Sequence, residues 1–169
     1  MKFKKIFLTL VFTTSCFALV AEELNLDNNI EFNVYTGMFD WSDDGKRSTL
    51  IGIQHQNENL NRDTFLGNLS PVTGAMLTAD NASYFYSGVQ ANYKIGALNF
   101  TPSFTPGLYH EGDGKDLGHV IEFKSELQFS FDLSNNSLLG FSYNHISNAS
   151  LGDKNPGANS YMFNFFKTF

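Results

Sequence analysis

SLLGFSYNHIS, residues 137–147, and NSYMFNFFKTF, residues 159–169, alternate bulky apolar side chains with small or polar ones. Successive side chains of a β-strand point to opposite faces, so Leu139, Phe141 and Tyr143 share one face and Gly140, Ser142 and Asn144 the other. In the second stretch Tyr161, Phe163, Phe165 and Phe169 lie together against Asn164 and Thr168. Two adjacent strands with one aromatic face each need a large apolar surface to lie against.

Working outward, the same period of two recurs in runs at roughly 30–39, 48–56, 64–78, 83–94, 98–109 and 119–133, separated by Gly, Asn and Asp. With the two quoted stretches this makes eight strands. Pro71 and Gly74 interrupt the third run, and Pro102 and Pro106 lie in the fifth, where a missing N–H marks an edge or a bulge. A soluble sandwich also has one apolar face per strand, so alternation alone does not decide the architecture. Three features favour a membrane barrel. The connections 40–47, 110–118 and 148–158 are long and polar, whereas 95–97 and 134–136 are tight turns. The strand count is even and its apolar face aromatic. The last strand runs to Phe169, the kind of terminal aromatic that the outer-membrane barrel-assembly machinery reads. The expected fold is all-β, an eight-stranded antiparallel transmembrane β-barrel over residues 22–169, its narrow lumen filled by side chains that include Gly88, Gly140 and Ser142.

The N-terminus fits that destination. Lys2, Lys4 and Lys5 precede an apolar run from Ile6 to Val20 and then Ala21, the pattern of a secretory signal peptide over residues 1–21. Cleavage after Ala18 is the alternative. Cys16 lies within this leader without the aliphatic neighbours of a lipoprotein signal, so the exported chain carries no disulfide. Eight basic residues then face seventeen acidic ones, a net charge of about −9 that argues against a nucleic-acid partner. No later run approaches the ~18 apolar residues of a membrane helix.

A histidine and a serine two residues apart, His145 and Ser147, continue the lipid-facing row of Leu139, Phe141 and Tyr143. Pairing the last two strands so that Tyr143 meets Tyr161, Phe141 meets Phe163 and Leu139 meets Phe165 sets Asn159 opposite His145. Counting strands from a periplasmic N-terminus puts this trio near the outer leaflet, under an extracellular 148–158 loop. Polar groups facing lipid without partners cost about 1–3 kcal/mol each, which favours a functional reading. An imidazole can take the serine proton, the hydroxyl can attack an ester carbonyl, and a third group, here Asn159, can fix the histidine tautomer.

HISNASLGDKNPGANSY, together with PSFTPGLYHEGDGKDLGHVIEFKSEL, resembles the lipid A 3-O-deacylase (PagL-type, acyloxyacyl hydrolase) family of outer-membrane barrels. The resemblance implies an eight-stranded barrel with an outward-facing Ser-His-Glu triad that hydrolyses an ester-linked 3-hydroxyacyl chain of lipid A, without a cofactor. It makes Ser147 the nucleophile and His145 the base, and sets Asn148, Asn155 and Gly157 near the oxyanion hole. The family's glutamate falls at Asn159, a departure that leaves a neutral amide or another carboxylate, Asp153, to orient His145. A second reading is therefore a structural or adhesive barrel without chemistry. Acyl transfer to lipid A, a third, is disfavoured by the narrow lumen. Lipid A of the outer leaflet is the implied partner, and a homodimer is left open. The cluster of His110, Glu111, Asp113, Asp116 and His119 has no metal-ligand spacing and reads as an acidic loop, so no metal is assigned. Lys46 and Arg47 are candidates for lipid phosphates, tyrosines near strand ends and Trp41 read as interfacial aromatics, and His55 reads as structural.

Overall fold

A computed structural model of the chain describes residues 30–43 and 45–169. The signal peptide expected over residues 1–21 lies outside the described residues. The strands are β1 (Ile30–Phe39), β2 (Ser48–Asn57), β3 (Arg62–Thr64), β4 (Gly67–Thr78), β5 (Ser83–Ala91), β6 (Tyr93–Ile95), β7 (Leu98–His110), β8 (Ile121–Ser134), β9 (Ser137–Ser147) and β10 (Ala158–Thr168). All pairings are antiparallel. Each long strand pairs with its neighbours in sequence, and β1 also pairs with β10, so the ladder of β1, β2, β4, β5, β7, β8, β9 and β10 closes on itself. The short β3 and β6 only extend the β4 and β7 edges beyond the wall.

The burial pattern is inverted relative to a soluble protein. Phe163, Ile51, Leu108 and Phe85 on the outer wall are 58–61 % exposed. Asn33, Gln54, Gln90, Thr105, Glu122, Ser142, Asn144 and Asn164 are buried inside. Only a hydrocarbon surround makes this arrangement favourable, so the barrel spans a membrane.

Several sequence expectations shift. The third run begins as a separate hairpin, β3 turning through Phe65 and Leu66 into β4, after a short 3-10 turn at Glu58–Leu60. That connection is long although it lies at the end with the tight turns, while at the opposite end β4 and β5 are joined by only residues 79–82. The fourth run divides into β5 and β6. β8 starts at Ile121 because His119 Nδ1 accepts the Ile121 N–H and shapes a bend before the strand. Pro102 and Pro106 do not end β7, which is paired with β8 throughout. The β5–β7 ladder skips Ser87 and Gly88 opposite Thr105 and Pro106, so the missing proline donor is absorbed locally.

The tyrosines divide between two environments, and of those near strand ends Tyr84 and Tyr109 turn inward rather than to the interface. Tyr35, Tyr84, Tyr86 and Tyr109 are buried in the lumen, and Tyr143 is on the outer wall. Gly52 is opposite Tyr35, and Gly74 opposite Tyr86. A Cβ at either glycine would lie 2.1 or 2.4 Å from the ring, so the glycines make the space that the rings occupy. The Tyr35 and Tyr86 hydroxyls meet at 3.1 Å, and Tyr86 donates to Gln54 Oε1. Lys124 Nζ sits 4.0 Å from the Tyr86 ring centroid and 3.1 Å from Glu126 Oε2.

Lys124 and Glu126 form a buried ion pair. Lys124→Met alone strands the carboxylate and is expected to lower stability by about 3–5 kcal/mol, whereas Lys124→Met with Glu126→Gln regains most of it. Urea unfolding in detergent micelles, followed by the fast mobility of the unheated barrel on gels, measures both.

Candidate active site

The register of the last hairpin sets the site. Tyr143 pairs with Tyr161, Phe141 with Phe163, Leu139 with Phe165 and His145 with Asn159, as the aromatic matching requires. His145 is exposed on the outer wall, and Ser147 and Asn159 are partly so. His145 Nδ1 lies 2.9 Å from Asn159 Oδ1. The amide accepts there, so the imidazole carries its proton on Nδ1 and leaves Nε2 as the basic nitrogen. Gly157, with φ +62°, lies over the opposite ring edge. A Cβ there would be 2.8 Å from His145 Cε1 and 3.4 Å from Nε2. Gly157 precedes Ala158, the partner of Ile146, so the Cε1–Nε2 edge of His145 lies on the side of Gly157 and of the level of Ser147. No hydrogen bond joins Ser147 to His145 in this structure. Their Cα atoms are successive on one strand face, about 6.6 Å apart by strand geometry, and such contacts tighten in substrate complexes.

Every polar group of Asn159 is held. Its N–H donates to Asp40 Oδ1 at 3.3 Å and its C=O accepts from Trp41 N at 3.0 Å. Its Oδ1 also accepts from the Tyr143 hydroxyl at 2.9 Å, and its Nδ2 faces Ser42 Oγ at 3.4 Å. Asp40 is buried in a left-handed backbone conformation, φ +48°, and its other oxygen pairs with Lys115 from the β7–β8 loop. Sequence reasoning missed Asp40, Ser42, Lys115 and Tyr143. Only Tyr143 carried a signal, its place two residues before His145 on the same face.

The 148–157 loop is built around Asn148, which is fully buried. Its Nδ2 donates to Leu117 O and Lys154 O, both at 2.8 Å, and its Oδ1 accepts from Ser150 N. Ala149 and Ser150 have φ of 51° and 65°, and Leu151 N returns to Asn148 O, closing a type I′ turn without glycine that Asn148 stabilises. Asn155 Oδ1 accepts the Asn148 N–H at 3.1 Å. Lys154 pairs with Asp116 and, together with the Gly118 N–H, holds that carboxyl below its usual range. The stabilisation this gives is present above the ordinary carboxylate pKa and is lost as pH falls through the lowered value; the exposed pair makes it small.

The remaining candidates have other partners or none. Asp153 is exposed and Asn159 occupies His145 Nδ1. Lys46 reaches Gly114 O and Arg47 reaches Trp41 O. His110 Nδ1 accepts from Gly112 N, Asp113 from Asn81, and among the described residues no three His, Cys, Asp or Glu gather to hold a metal ion. His55 packs against Phe32 on the outer wall, ring centroids 5.1 Å apart and tilted by 55°.

The profile of the lipid A 3-O-deacylase (PagL) family matches residues 28–168. The chain belongs to this family. Among solved structures, the outer-membrane enzyme PagL superposes with a TM-score of 0.60 at 15 % identity over 82 % of this chain and 99 % of its own. A de novo designed transmembrane β-barrel gives 0.55 at 12 % identity over 84 % and 96 %. Neisserial surface protein A gives 0.50 at 10 % identity over 83 % and 96 %. At these identities the likeness establishes the fold. No curated protein matches the sequence. Membership in the deacylase family and the outer-membrane barrel fold locate the chain in the outer membrane and make it, at a coarse level, an ester hydrolase.

Gly157 touches the imidazole so closely that Gly157→Ala is expected to push the ring off Asn159 while the barrel still forms. The His145 Cε1–H resonance of the detergent-folded protein should shift by much more than those of the other histidines; an unmoved resonance would show that the loop does not press on the ring.

Proposed function

We propose that the chain is a serine esterase that removes the ester-linked 3-hydroxyacyl chain from lipid A in the outer leaflet. The observation that carries the reading is the 2.9 Å bond from His145 Nδ1 to Asn159 Oδ1, on the lipid-facing wall beside Ser147. Loops 40–47, 111–120 and 148–157 then face outward, and the end bearing Ile30 and Phe169 faces the periplasm. Phe169, 72 % exposed at the end of β10, suits recognition by the assembly machinery.

Ser147 Oγ attacks the ester carbonyl carbon as its proton passes to His145 Nε2. The tetrahedral intermediate expels the sugar hydroxyl, which takes that proton, and leaves an acyl group on Ser147. Water, deprotonated by His145, releases the 3-hydroxy fatty acid and restores the serine. Asn155 is the better oxyanion donor of the two asparagines: it is exposed and its Oδ1 is anchored on Asn148 N, which leaves Nδ2 to donate, whereas the Asn148 side chain is committed to the loop. The backbone N–H of Gly157 is the second donor. Asn159 holds the tautomer but supplies no charge to offset the imidazolium, so turnover is slow for a serine enzyme.

Mass spectrometry of lipid A from cells with and without the protein tests the class. Loss of one 3-hydroxyacyl chain is expected, and Ser147→Ala or His145→Ala should abolish it while the barrel still assembles. Unchanged lipid A with well-folded parent protein would instead favour the non-catalytic barrel, a reading that rests on the neutral Asn159.

Asn159→Glu places a carboxylate where imidazolium charge develops. The expected gain on purified lipid A is of order 10–100-fold in turnover, or about 1.4–2.7 kcal/mol. An unchanged or lower rate at equal folded fraction, with the parent active, would remove Asn159 from the orienting role.

A further inference from the structure

We propose that Tyr143 is a positioning residue that makes the asparagine triad workable, by fixing which end of the Asn159 amide faces His145. The proposal rests on the esterase reading and assigns the device that replaces the family's carboxylate.

A glutamate has two equivalent acceptor oxygens and cannot be turned the wrong way. An amide can. With Oδ1 toward His145 the ring is protonated on Nδ1, and Nε2 is free to take the Ser147 proton. With the amide reversed, Nδ2 would donate to Nδ1, the ring proton would move to Nε2, and the base would face Ser147 with its proton already in place. Ser42 does not choose between these states, because its hydroxyl accepts from Nδ2 as well as it donates to Oδ1.

Tyr143 does choose. Its hydroxyl lies 2.9 Å from Asn159 Oδ1 and has no other hydrogen-bond acceptor among the described residues. On a wall that faces lipid, a phenolic hydrogen without an acceptor is strongly unfavourable. Reversing Asn159 would present Nδ2 to it and leave that hydrogen unpaired. Two donors, the Tyr143 O–H and the His145 Nδ1–H, therefore converge on one carbonyl oxygen and use both of its lone pairs. Tyr143 and His145 are successive on the outer face of β9, and Tyr143 is directly opposite Tyr161, so the strand pairing alone brings the hydroxyl to the amide.

Four proteins test this: the parent, Tyr143→Phe, Asn159→Glu and the double variant, each folded in detergent and checked by unheated gel mobility. Histidine labelled with 15N reports the His145 tautomer above the imidazole pKa, its signals identified by their loss in His145→Gln. The parent should be the Nδ1–H tautomer, Tyr143→Phe should show a substantial Nε2–H share, and the double variant should return to Nδ1–H. With lipid A, Tyr143→Phe should lower kcat about tenfold at nearly constant KM, and less than about twofold in the Asn159→Glu background. An Nδ1–H tautomer that persists in Tyr143→Phe, or an equal loss of kcat in both backgrounds, would overturn the proposal. Should none of the four deacylate lipid A, the esterase reading fails, while the tautomer signals still decide the role of Tyr143.

Discussion

Closure of the backbone ladder is the constraint from which the rest follows. In hydrocarbon an unpaired N–H or C=O costs several kcal/mol, so the chain can cross only if every strand edge is paired. The β1–β10 and β2–β4 pairings remove the edges. Once the ring is closed, side chains have only two directions, and the period of two sorts aromatics to the lipid and amides, hydroxyls and charges to the lumen. It also gives His145, Ser147 and Asn159 no choice: on the parity of Phe141 and Tyr143 they belong to the outer wall. The constraint that makes the barrel therefore delivers a polar group set to a place where an amphiphile, not a dissolved solute, is the neighbour.

The wall is one side chain thick at this point, and the site draws on both sides of it. Asn159 presents its amide outward while its backbone N–H is tied to Asp40, whose carboxylate is inside and paired with Lys115. Behind Ser147, Asn148 gathers strands of two loops into one unit. Among the described residues, three of the four left-handed non-glycine residues, Asp40, Ala149 and Ser150, lie in these supports; the fourth, Asn81, is in the 79–82 turn. Strain of this kind persists where surrounding contacts over-determine it, and here it secures the short segments that aim the outer side chains.

The hairpin of β9 and β10 was legible because aromatics must oppose aromatics on a lipid face, and a slip by one residue would invert every side chain. That single inference yielded the strand register, the neighbour of His145 and the face of the site. The supports were not legible. Asp40 and Asn159 are 119 residues apart, and their contact exists only because the first and last strands close the ring. The lumen tyrosines were not foreseen for a related reason: the ring of Tyr35 or Tyr86 is accommodated by a glycine on the next strand, a pairing that no local pattern announces. The 79–82 connection falls where the runs 64–78 and 83–94 leave it, but the β3–β4 hairpin was not legible, because the third run reads as one continuous strand.

The packed interior has a consequence for solvent. From the terminal end a polar vestibule of about 300 Å³ opens between Gln56, Gln90 and Gln128. Beyond it Gln54, Tyr35, Tyr86, Lys124 and Glu126 fill the section with mutually bonded side chains. A water molecule entering from that end meets a stopper. Under the proposed esterase mechanism the acyl-serine step would need one water for each chain released, and a plugged lumen leaves the loop end of the barrel as its source. On that reading the clearing of an acylated serine would depend on hydration of the loops rather than of the lumen, and a tightly packed sugar layer above the rim would slow it without touching the substrate.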